Sequence, residues 1–178
     1  MAREDTGTYL PSDDTALLVR ALSGLAAAGS CLEIGFGSGA VLESLMTRFS
    51  LVVGTDIGTL DQARSAKGSA DIILADRASC FRGGTFDLVA FNPPYLPSGV
   101  IRDRTVDGGR GGIEVPIRFL DDALRVLKAD GRIVALLSSH SDLSGFASRC
   151  VSLGLSVREV ATAALFYESL VVYEIRRR

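Results

Sequence analysis

The stretch Cys31-Leu32-Glu33-Ile34-Gly35-Phe36-Gly37-Ser38-Gly39-Ala40-Val41-Leu42 decides the fold. Its first four residues read as a buried strand, and the glycines end it at once. Val41, Leu42, Leu45, Met46 and Phe49 then recur at helical spacing along one apolar face. Glycines at a strand-to-helix turn let the backbone bend sharply and approach a ligand, while the helix start offers unpaired N–H groups. Gly35, Gly37 and Ala40 also satisfy the loose dinucleotide-binding pattern, so the glycines alone leave the ligand open. A tight turn that binds nothing is the plainer reading of the same residues.

Outward from this turn, short apolar runs alternate with helical periodicity, which predicts an α/β fold on a mostly parallel sheet. Further strands are expected over residues 51–55, 72–75, 86–91 and 133–137. Ser12 is a plausible N-cap for a first helix, with Asp13 and Asp14 at its positive end. Leu17, Leu18, Ala21, Leu22 and Leu25 give that helix its apolar face, and Gly29 would stop it. A short helix is expected over 60–67, and a longer one over 113–128 that tolerates Pro116 in its first turn. Asp130-Gly131 reads as the turn into the next strand. A helix over 143–153 ends at Gly154, and runs at 155–160 and 170–175 are close enough to pair as an antiparallel hairpin. That ending is unusual for a parallel sheet and narrows the choice of fold.

Two aspartates follow successive strands, Asp56 the second and Asp76 the third. An isolated aspartate there is most often a turn or cap residue. Two at the carboxyl ends of parallel strands point into the crevice where open α/β sheets bind ligands. Asp56 could accept hydrogen bonds from ribose hydroxyls, and Asp76 from an adenine amino group.

The fourth strand delivers Asn92-Pro93-Pro94-Tyr95. Two prolines remove two donors and fix two φ angles, so the segment is stiff and its carbonyls stay free. The Asn92 side-chain oxygen and the Pro93 carbonyl can accept both hydrogens of one planar NH2 group. Tyr95 offers a flat wall with a polar tip. Such a site orients a nitrogen lone pair toward an electrophile by position, with no strong base. A proline turn alone explains the prolines but not this tetrapeptide at the mouth of a crevice.

The 178 residues fit one domain, a helical cap over 1–29 and an α/β core over 30–178. Lys and Arg total 19 against 21 Asp and Glu, a net charge of -2 that weighs against stable binding of a nucleic-acid backbone. Cys31, Cys80 and Cys150 are far apart with no Cys-x-x-Cys pair, so reduced thiols and no metal site are expected. The N-terminus is polar, and no apolar run reaches the roughly 18 residues of a membrane span. A cytoplasmic protein without membrane association is expected.

Residues 31–39, Thr55-Asp56-Ile57 and residues 89–95 resemble the class I S-adenosyl-L-methionine-dependent methyltransferases that carry an Asn-Pro-Pro-Tyr signature. More narrowly, Tyr9-Leu10-Pro11-Ser12-Asp13-Asp14-Thr15 and Gly108-Gly109-Arg110-Gly111-Gly112-Ile113-Glu114-Val115 are similar to the HemK-like branch of archaea and eukaryotes. Enzymes of that branch methylate the glutamine amide in the Gly-Gly-Gln motif of peptide chain release factors, with S-adenosyl-L-homocysteine as by-product.

The resemblance implies a Rossmann-like, seven-stranded, mostly parallel sheet with an antiparallel last strand and helices on both faces. It also implies site roles. Thr15 lies at the cofactor's carboxylate end, and Glu33, Gly35, Gly37 and Gly39 surround its methionine part. Asp56 holds the ribose, and Asp76 with the Arg77 backbone faces the adenine. Asn92 touches both cofactor and substrate, Pro93 and Tyr95 complete the catalytic set, and Pro94 joins the substrate wall. Phe36 and Pro116 depart from the usual pattern. Bacterial relatives carry an N-terminal recognition domain, which this chain is expected to lack.

Members of this branch act with a small zinc-binding activator protein that covers an apolar sheet edge. Residues 70–74 and a mean hydropathy of +0.29 make such an edge and partner expected here.

Three other readings fit parts of the pattern. A nucleic-acid amino methyltransferase, acting on adenine or guanine, would use the same acceptors but usually needs extra surface to flip a base. A nicotinamide-dependent oxidoreductase leaves Asn92 to Tyr95 unexplained, and a non-catalytic nucleotide-binding module leaves an intact site unused. His140 lacks the partners of a triad and reads as a loop or capping residue. Arg102, Arg104 and Arg110 lie in a long loop that either closes over the substrate, touches RNA near a release factor, or keeps the surface soluble.

Overall fold

The computed structural model describes residues 13–26, 29–58 and 70–178. Tyr9 to Ser12 and the helix expected over 60–67 lie outside the described residues. The chain runs α1 (Asp13–Ser23), β1 (Ser30–Ile34), α2 (Ala40–Met46), β2 (Leu51–Asp56), β3 (Asp71–Leu74) and β4 (Phe86–Phe91). A loop with two short strands follows, β5 (Leu96–Pro97) and β6 (Asp107–Gly109), and a 3-10 turn over Arg110–Gly112. The rest is α3 (Glu114–Val126), β7 (Leu127–Ser138), α4 (Leu143–Ser152), β8 (Leu155–Ala164) and β9 (Ser169–Arg177).

Seven strands form one sheet in the order β3-β2-β1-β4-β7-β9-β8. All neighbouring pairs are parallel except those of β9, which runs antiparallel between β7 and β8. Two apolar layers sandwich the sheet. Leu17, Leu18 and Leu22 of α1 with Val41, Leu42 and Leu45 of α2 pack on one face. Leu120, Ala123 and Val126 of α3 with Phe146 and Cys150 of α4 pack on the other. Strands buried on both faces explain the near-continuous apolar runs of β1, β4 and β7. Phe36, one of the departures from the family pattern, is buried against α1 and α2, and Pro116 is buried in the first turn of α3.

Three boundaries differ from the expectation. Helix α1 stops at Ser23 rather than at Gly29, because the Ser23 hydroxyl bonds the Arg20 carbonyl and Gly24 follows. Gly29 instead precedes β1, where a Cβ would strike the Asp87 carboxylate. Asp130-Gly131 makes no turn before β7. The strand already starts at Leu127, and the extra residues are absorbed as an irregularity, pairing Phe86 with Leu127 and then Leu88 with Arg132. Strands β8 and β9 extend well past the two runs read from the sequence.

The strand order reverses between β1 and β4, whose carboxyl ends deliver Gly35 and Asn92 side by side. That reversal opens the crevice where ligands bind in such sheets.

Candidate active site

A cavity of about 750 Å³ lies at those carboxyl ends. Its lining brings together Thr15, Glu33, Gly35, Gly37, Asp56, Asp76, Arg77, Asn92, Pro93, Pro94 and Tyr95. Gly39, also expected there, sits one step back at the start of α2 and is absent from the wall.

The glycine turn is tied to β2. The N–H groups of Gly35 and Phe36 both donate to the Thr55 carbonyl, at 2.7 and 3.2 Å. Gly35 and Gly37 have φ of +77° and +50°, the left-handed region that favours glycine. At Gly37 nothing stands within 4 Å of where a Cβ would be, so the turn faces open space. Gly37 N–H donates to Asp56 Oδ2 at 3.0 Å, and Gly58 N–H to Oδ1 at 3.0 Å. Both carboxylate oxygens are thereby fixed, with lone pairs left for further donors.

Glu33 lies beneath, buried in β1. Burial pushes its carboxyl well above the usual range, and Asp56 nearby adds to this, against a hydrogen bond from the Leu42 backbone that lowers it. Asp76 and Arg77 close the far side just after β3. Arg77 has φ of +51°, the positive-φ non-glycine residue among those described. Its side chain bridges Asp76 and Asp122 of α3, each at 2.8 Å, which holds this strained backbone against the cavity.

Asn92 closes the near side. Its Nδ2 donates to Asp14 Oδ2 at 2.8 Å, and Asp14 Oδ1 accepts from the Thr15 N–H at 2.7 Å. Asp14 is buried at 3% exposure on the first turn of α1. By its sequence position Asp14 is a helix-end charge, and nothing local signals this contact. The loop after Tyr95 also proves ordered by specific bonds. Leu96 N–H donates to the Val106 carbonyl, Ser98 N–H to that of Gly109, and Asp107 Oδ2 accepts from the N–H of Arg102 and Asp103. Arg104 of this loop reaches the cavity wall; Arg102 and Arg110 do not. Arg118 and Phe119 of α3, and Glu168 after β8, line it too and carried no recognisable signal in the sequence. His140 is exposed in the turn after β7.

The donor-hungry character of the cavity is explicit. Among the described residues, Glu33 Oε2 and Asn92 Oδ1 are buried without hydrogen-bond partners. Each such group costs about 1–3 kcal/mol, so the two together call for a ligand that brings N–H donors.

This sheet order, with a glycine turn after β1, an acid after β2 and Asn-Pro-Pro-Tyr after β4, defines a class I methyltransferase. No family model matches the chain. Methyltransferase HEMK2 of Mus musculus is 36% identical over 145 residues, 69% of this chain and 68% of that protein. A release factor glutamine methyltransferase of Rhodospirillum rubrum is 31% identical over 153 residues, 72% of this chain and 46% of its own length. Among solved structures, the E. cuniculi Mtq2–Trm112 complex, responsible for methylation of the eRF1 translation termination factor, aligns with a TM-score of 0.82. It is 26% identical, covering 96% of this chain and 99% of the other. The chain belongs to the HEMK2 family of methyltransferases. Its methyl donor is S-adenosyl-L-methionine. The unpartnered Glu33 oxygen, the Asp56 carboxylate and the open glycine turn fit that donor's ammonium, ribose hydroxyls and backbone.

Proposed function

We propose that this chain methylates the side-chain amide nitrogen of the glutamine in the Gly-Gly-Gln motif of a peptide chain release factor. The observation that carries the reading is Asn92. Its NH2 is tied to Asp14, and its oxygen is a buried acceptor without a partner on the wall of the cavity. S-adenosyl-L-methionine, when bound, supplies an electrophilic methyl and leaves as S-adenosyl-L-homocysteine. Thr15, Glu33, Gly35 and Gly37 hold its amino-acid end, Asp56 its ribose, and Asp76 with the Arg77 backbone its adenine. Asn92 Oδ1 and the Pro93 carbonyl accept the two hydrogens of the substrate amide, which aims the nitrogen at the methyl and favours the positive charge that develops on it. Pro94 and Tyr95 flank the rest of the glutamine side chain, and the spent proton passes to solvent.

Supporting the choice of glutamine are the relatives that bear that activity in their names and the balanced charge of the chain. The site of action in this reading is the cytoplasm, and no described helix is long and apolar enough to cross a membrane. A small zinc-binding activator is the partner this reading includes. Strand β3 is an outer edge of the sheet among the described residues, and Leu74 on it is 39% exposed, with Ile57 exposed beside Asp56, the partner of Leu74. Bound zinc in the purified complex, and lower activity of the chain by itself, are the expected signs.

The decisive measurement incubates the chain with labelled S-adenosyl-L-methionine and a release factor, with and without the candidate activator. Label on the wild-type factor should vanish when the Gly-Gly-Gln glutamine is replaced. Asn92→Ala should abolish transfer while the cofactor Kd stays within about twofold, since positioning the acceptor is its task. Label that appears on nucleic acid alone would overturn the assignment.

A further inference from the structure

Strands β8 and β9 are joined by Leu165-Phe166-Tyr167-Glu168, closed by a 2.7 Å bond from the Leu165 N–H to the Glu168 carbonyl. Phe166 and Tyr167 occupy the two central positions of this turn and are 90% and 83% exposed. Their rings meet edge to face, with centroids 4.6 Å apart and planes at 82°. Tight turns ordinarily use glycine, asparagine, aspartate or proline at these positions, each for a backbone reason. Two aromatic rings supply no such reason, and each leaves on the order of 150–250 Å² of surface to be buried. A local rule broken without a gain in folding marks a functional position.

The turn is fixed relative to the active site. The Ser138 hydroxyl, at the carboxyl end of β7, donates to Glu168 Oε2. The Ser139 N–H donates to the Ser169 carbonyl at 2.8 Å, and the Ser169 N–H to Ser139 Oγ at 2.9 Å. These bonds hold the turn at the end of the sheet where the cavity opens, beside the carboxyl end of β7. Glu168 itself lines that cavity together with Asn92 and Tyr95. The aromatic pair is therefore the next stretch of chain outward from the wall of the acceptor site.

Resting on the glutamine methyltransferase reading above, we infer that Phe166 and Tyr167 form a docking rim for the polypeptide that carries the acceptor glutamine, packing against apolar residues flanking it. The chemistry favours a polypeptide over a nucleic acid. The carboxylate of Glu168 adjoins the pair, and the chain carries a net charge of -2, both of which repel a phosphate backbone. The perpendicular rings also offer no parallel pair of faces for successive bases.

The test compares wild type with the double variant Phe166→Ala, Tyr167→Ala on two substrates, an intact release factor and a short peptide holding little beyond the Gly-Gly-Gln glutamine. The double variant should raise KM for the intact factor about tenfold or more, as loss of an interface anchor does. Its kcat should stay within about twofold, and activity on the short peptide should match wild type. The melting temperature and cofactor Kd should be unchanged, because both rings are exposed. The conservative pair Phe166→Tyr, Tyr167→Phe should restore KM. Normal labelling by wild type with an unchanged KM in the double variant overturns the docking rim alone. A wild-type chain that never labels the release factor overturns the substrate reading on which the rim rests. Loss of oligonucleotide binding in the double variant, with KM for the factor unaltered, would reassign the rings to nucleic acid.

Discussion

A primary amide can turn over by half a rotation and exchange its oxygen for its NH2, and a site that depends on the oxygen must prevent this. At Asn92 the device is Asp14, whose carboxylate oxygen takes the Nδ2 hydrogen at 2.8 Å. With NH2 committed, Oδ1 is left as the acceptor for a substrate amide. Asp14→Asn presents both a donor and an acceptor at the same place, so both orientations of Asn92 become acceptable. The expected result is a kcat lower by about ten- to a hundredfold, as for other losses of reactant alignment, with cofactor Kd within about twofold. Single-turnover rates beside a calorimetric Kd measure this directly. A kcat equal to wild type would mean that the prolines alone orient Asn92.

At the scale of elements, the segment 96–112 is a buttress for the Asn-Pro-Pro-Tyr strand end. A Cβ on Gly108 would stand 2.7 Å from the Tyr95 backbone, and one on Gly112 2.2 Å from the Tyr95 carbonyl oxygen. That same carbonyl accepts from Ser141 Oγ at 2.9 Å. The glycines are there because the loop packs directly on the backbone it supports. Gly108→Ala must displace Tyr95. It should destabilise the fold by about 1–3 kcal/mol, as overpacking does, and lower kcat for the release factor by more than it weakens cofactor binding. Denaturant melts and steady-state rates on the same sample separate the two effects, and an alanine variant with wild-type stability and rate would remove the buttress.

The sequence made the glycine turn, the buried strands and the antiparallel ending legible, because each leaves a period or a breaker in a short window. It did not reveal this loop's order, since its bonds are backbone contacts between irregular residues. Asp14 stayed hidden for a related reason: its partner is 78 residues away, and a helix-end acid looks the same with or without one. The hairpin of β8 and β9 was legible but the place of its turn was not, because its centre holds two aromatics instead of the usual turn residues.

For the whole molecule, ionised side chains tie the late strands to the parallel half of the sheet. Glu174 of β9 is 4% exposed, and it pairs with Arg158 of β8, Arg176 of its own strand and, at 3.6 Å, Arg132 of β7. Burial by itself would push its carboxyl up, but the hydrogen bonds and charges of Arg158 and Arg176 outweigh this and hold it below its ordinary 4.5. Asp87 of β4 is likewise held below its ordinary 3.8, first by the Lys128 ammonium of β7 and then by the Ser30 backbone of β1. A carboxyl depressed in the folded state stabilises fully above its unfolded value and loses that contribution as pH falls through the folded one. Glu33 has the opposite sign. Its folded value is raised, so without cofactor it removes stability as pH rises above 4.5. Glu33→Gln should therefore stabilise the free chain at pH 8 more than at pH 5, in parallel with a weaker cofactor Kd. Glu174→Gln should cost about 2 kcal/mol at pH 7, the scale of a charged hydrogen bond left incomplete. That deficit should shrink steadily as pH falls below 4.5 and vanish below the depressed folded value, because the wild-type carboxyl is then losing its charge too. Urea unfolding of both proteins across that range gives the curve. A deficit that stays constant throughout would assign the loss to packing around Glu174 instead of its charge.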